Sequence, residues 1–271
     1  MKKVKRVTPA LYNGLIFLFL YAPIFIVILF SFNTTKSRTI MDGFTLQWYV
    51  ELFQDDLIME SLRNSLILAF SSSILATVIG TAAALCIAKM KKFGRSMVMN
   101  LNYIPIVNSE VVTGVSLMML FVFFASIFGG ELGFVTVLIA HITFNIPYVV
   151  LNVLPKLRQT DPNLLDAALD LGCTQISAFF KVILPQILPG IISAFIMAFS
   201  LSFDDFAISY FTTGTSFQTL PVTIYSMTRK RITPKINALF TLIFVLVFIL
   251  LLVMNLRDSR LAKKQEGIGW Q

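Results

Sequence analysis

The chain has 271 residues, 56% hydrophobic and only 13% charged, with a mean hydropathy of +0.81. Soluble domains carry roughly 25% charged residues, so these few charges do not solvate a globular surface, and the apolar excess, including 26 Phe, must face lipid. The formal net charge of +8 is laid out as a topology signal rather than a nucleic-acid patch, and Cys86 and Cys173, in no CxxC or Cys/His spacing, argue against a disulfide framework or a metal site.

In chain order, Met1-Lys2-Lys3-Val4-Lys5-Arg6 precedes an apolar run too long for a signal peptide and without a small-x-small cleavage site, which predicts an uncleaved first span. Only a helix of about 20 apolar residues satisfies its backbone while crossing the hydrocarbon core. Charge-free stretches run over 7–35, 64–88, 111–130, 132–155, 182–203 and 236–256. They predict an all-α membrane protein, one transmembrane domain over 1–271, with spans at about 11–32, 64–88, 98–128, 132–154, 186–208 and 236–256. A further stretch, 206–228, is rich in Thr and Ser and holds Gly214 and Pro221, so it reads as a loop with short helical pieces.

Lys and Arg placement orients the spans. With the N-terminus inside, cytoplasmic segments hold Lys2, Lys3, Lys5, Arg6, Lys89, Lys91, Lys92, Arg95, Lys156, Arg158, Lys181, Arg257, Arg260, Lys263 and Lys264, which is 15 of the 22 basic residues. The outer side keeps Lys36, Arg38, Arg63, Arg229, Lys230, Arg231 and Lys235; the cluster at 229–231 dissents, but the balance predicts both termini inside. Gly129-Gly130-Glu131 is so short a connection that spans three and four are predicted to be antiparallel neighbours. The longer outer loop, about 33–61, carries Trp48, Tyr49, Leu52 and Phe53, an amphipathic group suited to the membrane interface.

Residues 156–185 hold the most telling pattern. Asp161-Pro162 writes a helix start, since a carboxylate caps free N–H groups and Pro fits the first helical position. Leu164, Leu165, Ala168 and Leu171 follow at helical spacing. Gly172 supplies a stop, Thr174 caps a second short helix, and Pro185 and Pro189 open the fifth span. A solvated amphipathic hairpin on the membrane surface has the same local signals.

Asp166-Ala167-Ala168, three residues, Gly172, nine residues and Val182-Ile183-Leu184-Pro185 resemble the EAA loop of bacterial ABC importer permeases, with Asp for Glu and Val for Ile. Ser202-Phe203-Asp204-Asp205-Phe206, Thr213-Gly214, Leu220-Pro221, Ile224-Tyr225-Ser226-Met227, Pro234 through Asn237-Ala238, His141-Ile142-Thr143-Phe144 and Gly43-Phe44-Thr45 with Trp48-Tyr49 are similar to the spermidine/putrescine branch of that family. The likeness runs from the first span to the last. It implies a type I ABC importer permease (MetI-like) fold in the bacterial cytoplasmic membrane. It also implies that Asp166, Ala167, Ala168, Gly172, Leu184 and Pro185 belong to a coupling helix docking on a separate ATPase. The implied partners are a second permease, two ATPase copies and an external polyamine-binding protein. Such a permease is no enzyme and binds no cofactor, ATP and Mg being used by the ATPase; no GxxxxGK[ST] phosphate loop is present in this sequence.

Candidate substrate contacts are Glu110, Asp204, Asp205 and Trp48. An ionisable residue inside a span costs at least about 2.5 kcal/mol if lipid-facing and usually lines a cavity; a carboxylate there suits an ammonium substrate. Glu110 alternatively bonds Asn108 or Ser116, or sits near the interface. Asp204 and Asp205 end the fifth span, and neighbours about 100° apart leave only one facing a path; a solvated helix end is their other reading. Trp48 offers a cation–π face worth about 0.5–2 kcal/mol or an interfacial anchor. His141, the sole histidine, fits a hydrogen-bonded place in the bundle better than a proton relay.

Three alternatives remain open. One is an ABC permease for another small solute, such as an amino-acid derivative or ferric ion. A second is an ion-coupled secondary transporter, for which no inverted repeat is evident. The third is an intramembrane hydrolase, which lacks a nucleophile elbow or HExxH.

Overall fold

The computed structural model describes residues 4–35, 40–161, 163–230, 233–245 and 248–249. The described residues are helical apart from loops and one isolated antiparallel bridge between Asn33 and Phe44. In chain order the helices are α1 (Val4–Ser31), α2 (Gln47–Phe53), α3 (Asp56–Lys89), α4 (Lys92–Val107), α5 (Glu110–Phe128), α6 (Phe134–Gln159), α7 (Asn163–Asp170), α8 (Gln175–Ala178), a π-helical turn (Phe179–Ile183), α9 (Leu184–Phe203), α10 (Ala207–Thr212), α11 (Leu220–Lys230) and α12 (Pro234–Val245). Five stretches among the described residues are long and apolar enough to cross a membrane: Tyr12–Ser31, Asp56–Lys89, Glu110–Phe128, Phe134–Gln159 and Gln175–Phe203. The protein is a multi-span, all-α membrane protein. Of the predicted sixth span, 236–256, the part from 250 onward lies outside the described residues.

The chain forms two compact units, one of residues up to Met59 together with those from Ile224 on, the other Glu60–Thr223. In the first, Asn33 is fully buried and organises the loop after α1. Its Nδ2 donates to Ile40 O (2.7 Å), its Oδ1 accepts from Asp42 N (3.0 Å), and its backbone O accepts from Trp48 Nε1 (2.6 Å). Ser31 Oγ and Tyr49 OH share a hydrogen bond of 2.8 Å, and Lys235 donates to the Asp55 carboxylate. Burial alone would raise the Asp55 pKa, but the Lys235 hydrogen bond, backbone N–H groups and the ammonium charge together hold it below the ordinary carboxylate value.

The second unit is built on α3, α6 and α9. Ala76, Ala84, Val149, Val150, Val153, Ala194 and Ala198 form its core, with Val98 and Met99 of α4 packed on it. Small residues permit this approach without a hydrophobic drive between helices in lipid. At Gly80 a Cβ would lie 2.6 Å from Val149 Cγ1, so any larger residue forces α3 and α6 apart.

Two sequence expectations about where spans end are corrected here. The span predicted at 98–128 is two helices: α4 ends at Val107, Asn108 and Ser109 take extended backbone, and α5 starts at Glu110. The span predicted at 186–208 ends at Phe203, and α10 is a separate helix. Spans three and four are joined by the short loop that Gly129 (φ 74°) and Gly130 (φ 126°) turn, yet α5 packs chiefly on α10 rather than on α6. Ile208 of α10 sits between Leu117 and Phe121 of α5 and Ala140 and Phe144 of α6.

Candidate functional site

Two features of the second unit carry the residues singled out from sequence, Trp48 excepted. The first is the hairpin α7–α8. Asp161 Oδ1 accepts from Asn163 N (2.9 Å) at its start. Its bend is a Schellman turn, with Cys173 N donating to Ala168 O (3.1 Å) and Gly172 N to Leu169 O (2.9 Å), and Gly172 at φ +85°. A side chain there would meet the strain of the left-handed region, about 1–2 kcal/mol. Thr174 Oγ1 accepts from Ser177 N (3.3 Å), capping α8 as its position in sequence predicts.

Only part of the expected apolar stripe faces inward. Leu164 and Leu165 are half-buried and Ala168 is buried, whereas Leu171 is 86% exposed. Helical phase is lost at the Schellman turn, which swings Leu171 outward. Ile176 and Phe180 are also exposed, at 72% and 59%, beside exposed Asp166 and Ala167. Leu184 is half-buried and Pro185 exposed at the head of α9. Behind the hairpin, a cavity of about 430 Å³ separates it from the ends of α3 and α6, lined among others by Leu85, Leu157, Asp161, Leu165, Phe179 and Ile183. The hairpin is thus joined to α9 through a π-helical turn and backed by space, with apolar side chains turned outward.

The second feature lies where helices break. Ser202 Oγ accepts from Asn145 Nδ2 (2.7 Å) and Ser72 Oγ (2.9 Å), tying α9 to α6 and α3. Immediately after, α9 stops and Asp205 caps α10: its Oδ1 accepts from Ile208 N (3.2 Å) and its Oδ2 from Ser209 N (2.7 Å). His141 Nε2 lies 3.1 Å from Ser209 Oγ and 3.4 Å from Asp205 Oδ2, and His141 is 1% and Asp205 7% exposed. The histidine therefore holds a hydrogen-bonded place inside the bundle, and Asp205 is buried and bonded at the junction. Asp204 is exposed.

Glu110, the first residue of α5, is exposed and within electrostatic reach of Asp204, Asp205 and Tyr148. It bonds neither Asn108 nor Ser116; Asn108 Nδ2 instead donates to Thr113 Oγ1 (3.4 Å). Among the described residues no Lys or Arg pairs with Glu110 or Asp204. Trp48 belongs to the first unit, where it is 8% exposed and bonded to Asn33. Sequence reasoning passed over Ser72, Asn145, Ser202 and Ser209. Their signal was the pairing of His141 with Asn145 one turn on, two polar groups on one face of an apolar helix.

Residues 76–264 match the family described as binding-protein-dependent transport system inner membrane component, and the chain belongs to that family: it is a membrane permease subunit of an ABC-type importer, a transport component and not an enzyme. Within it the chain belongs with the permeases of the spermidine/putrescine type. It is 38% identical over 230 residues to the putrescine transport system permease protein PotI of Escherichia coli (strain K12), covering 84% of this chain and 82% of that one. It is 34% identical over 255 residues to the spermidine/putrescine transport system permease protein PotC of Shigella flexneri, covering 94% of each. In fold it is similar to a chain of a bacterial ABC transporter involved in the import of the acidic polysaccharide alginate, with a TM-score of 0.67, 18% identity and coverage of 96% and 97%.

Proposed function

We propose that the chain forms half of an ATP-driven import pathway for polyamines. In this reading it is a six-span type I permease with both termini in the cytoplasm. It pairs with a second permease, two copies of an ATPase that uses ATP and Mg, and an external polyamine-binding protein. The observation that carries the substrate class is the pair of exposed carboxylates, Glu110 and Asp204, at two helix interruptions with no basic partner among the described residues. Carboxylates held at membrane depth are costly unless they face water or a counter-charge, and an alkyl polyammonium supplies that counter-charge. An acidic polysaccharide, the cargo named for the similar alginate transporter, would be repelled. The names of the 34–38% identical relatives favour the same class.

Closure of the ATPase pair would pull the hairpin 163–183, rock the bundle and turn the path outward. The exposed Leu171, Ile176 and Phe180 supply an apolar docking face for that partner, and Gly172 holds the bend. The test is ATP hydrolysis by the reconstituted complex with its binding protein: spermidine or putrescine should raise it. No response to either removes the polyamine assignment.

A further inference from the structure

Helix α4 divides cleanly into two faces. Val98, Met99, Asn102, Pro105 and Ile106 are half-buried, Asn102 Nδ2 donates to Pro147 O of α6 (3.3 Å), and Val98 and Met99 pack on the core. The opposite face, Asn100, Tyr103, Ile104, Val107 and Asn108, follows the i, i+3, i+4, i+7, i+8 rule and lines an open groove of about 570 Å³. Three of its five residues are polar, and the Asn100 and Tyr103 side chains make no hydrogen bond among the described residues. The bond to Pro147 sets α4 beside the middle of the 26-residue α6, at a depth where polar groups turned to lipid are costly.

Charge selects the occupant. From Ser96 to Phe128 the chain has no Lys or Arg and one acid, Glu110. The groove ends at the C-terminus of α4, where unpaired carbonyls give a negative helix end, two residues before Glu110. Asn and Tyr oxygens accept ammonium N–H groups, the Tyr ring offers a cation–π face, and Ile104 and Val107 present apolar surface between them. Asn100 to Asn108 spans about 12 Å of helix rise, enough for an extended diammonium or triammonium chain to meet more than one acceptor.

We infer that this open face of α4, Asn100–Tyr103–Asn108, is a binding track for the polyammonium chain, continuing the path from Glu110 toward the end of the bundle that carries the coupling hairpin. The inference rests on the polyamine reading above and adds to it residues that determine how the cargo is passed on.

The experiment uses the complete transporter with Cys86 and Cys173 replaced by Ala, and with Asn100→Cys or Tyr103→Cys added singly. Methanethiosulfonate reagents carrying a trimethylammonium or a sulfonate group are compared, with and without spermidine. The track predicts a cation-to-anion rate ratio about tenfold above that for free cysteine, from local enrichment beside Glu110 and the negative helix end, with modification slowed by spermidine under turnover. In parallel, Asn100→Leu and Tyr103→Leu should each lower uptake at saturating binding protein several-fold, while Asn100→Gln retains it. A rate ratio equal to that of free cysteine, or no modification by either reagent, overturns the track. So does a disulfide from Tyr103→Cys to the second permease, which would make the face an interface between permeases. If the parent transporter ignores spermidine and putrescine altogether, it is the polyamine reading that falls. Where a Leu variant does not assemble, the labelling comparison decides.

Discussion

The hairpin α7–α8 and the junction at 202–209 treat polarity in opposite ways. The hairpin turns Leu171, Ile176 and Phe180 outward, beside exposed Asp166 and Lys181. The junction hides Ser202, Asp205 and Ser209 with His141 and Asn145, all below 8% exposure, among apolar helices. The difference lies in satisfaction. Polar groups at the junction largely find partners inside the chain, so their loss should be felt as stability. Leu171 and Ile176 on the hairpin are left mostly uncovered by the chain, so their loss should be felt only when a partner is present.

Replacing Asp205 with Ala should break the comparison at its strongest point. It strands the N–H groups of Ile208 and Ser209 and removes the His141 contact, at about 1–3 kcal/mol for each buried group left unpaired. A lowered melting temperature of the purified complex is expected, with Asp205→Asn intermediate. Asp204→Asn, one residue away and exposed, should leave melting unchanged and lower polyamine uptake. Equal melting of the two Asp variants would erase the distinction drawn between them.

Gly172→Val comes next. Its φ of +85° makes any branched side chain cost about 1–2 kcal/mol locally, enough to displace the bend without unfolding the bundle. Membrane insertion and melting should persist while transport-coupled ATP hydrolysis is lost. Leu171→Asp should weaken binding of the ATPase about tenfold or more, as truncation of a central apolar anchor does, with no change in melting of the isolated chain. Titration of the two proteins by fluorescence anisotropy measures it.

The smallest effect is expected at Asp55. Its carboxylate pKa is lowered in the folded chain, so the ion pair with Lys235 contributes stability above the unfolded value, about 3.9. That contribution is lost as pH falls through the folded value. Asp55→Asn should therefore melt slightly below wild type at neutral pH, by an exposed-pair amount of about 0–1 kcal/mol, and the gap should close in acid. A gap that widens in acid would reverse the sign.

How much of this was legible depended on how local the determinants are. Asp161, Gly172 and Thr174 act on residues two to five positions away, so the hairpin could be read directly. The inward stripe failed only at Leu171, at the helix end where the turn begins. The contrast between exposed Asp204 and buried Asp205 was not legible, because helical phase says only that the two diverge. What assigns them is the end of α9 and the capping of a helix wedged between α5 and α6, a packing that arises from partners more than 60 residues apart, such as His141 and Ser209. The break before Glu110 had a local signal, Pro105 and Asn108-Ser109, hidden by continuous hydrophobicity.

In the function proposed above, the hairpin is the handle gripped by a separate ATPase. Ile176→Cys, introduced into the complex with Cys86 and Cys173 replaced, should cross-link to the ATPase subunit with a short bifunctional maleimide, to an extent that changes on adding ATP. A fully active transporter in which this cysteine never reaches the ATPase, and is instead modified by an impermeant reagent applied outside intact cells, would contradict the account.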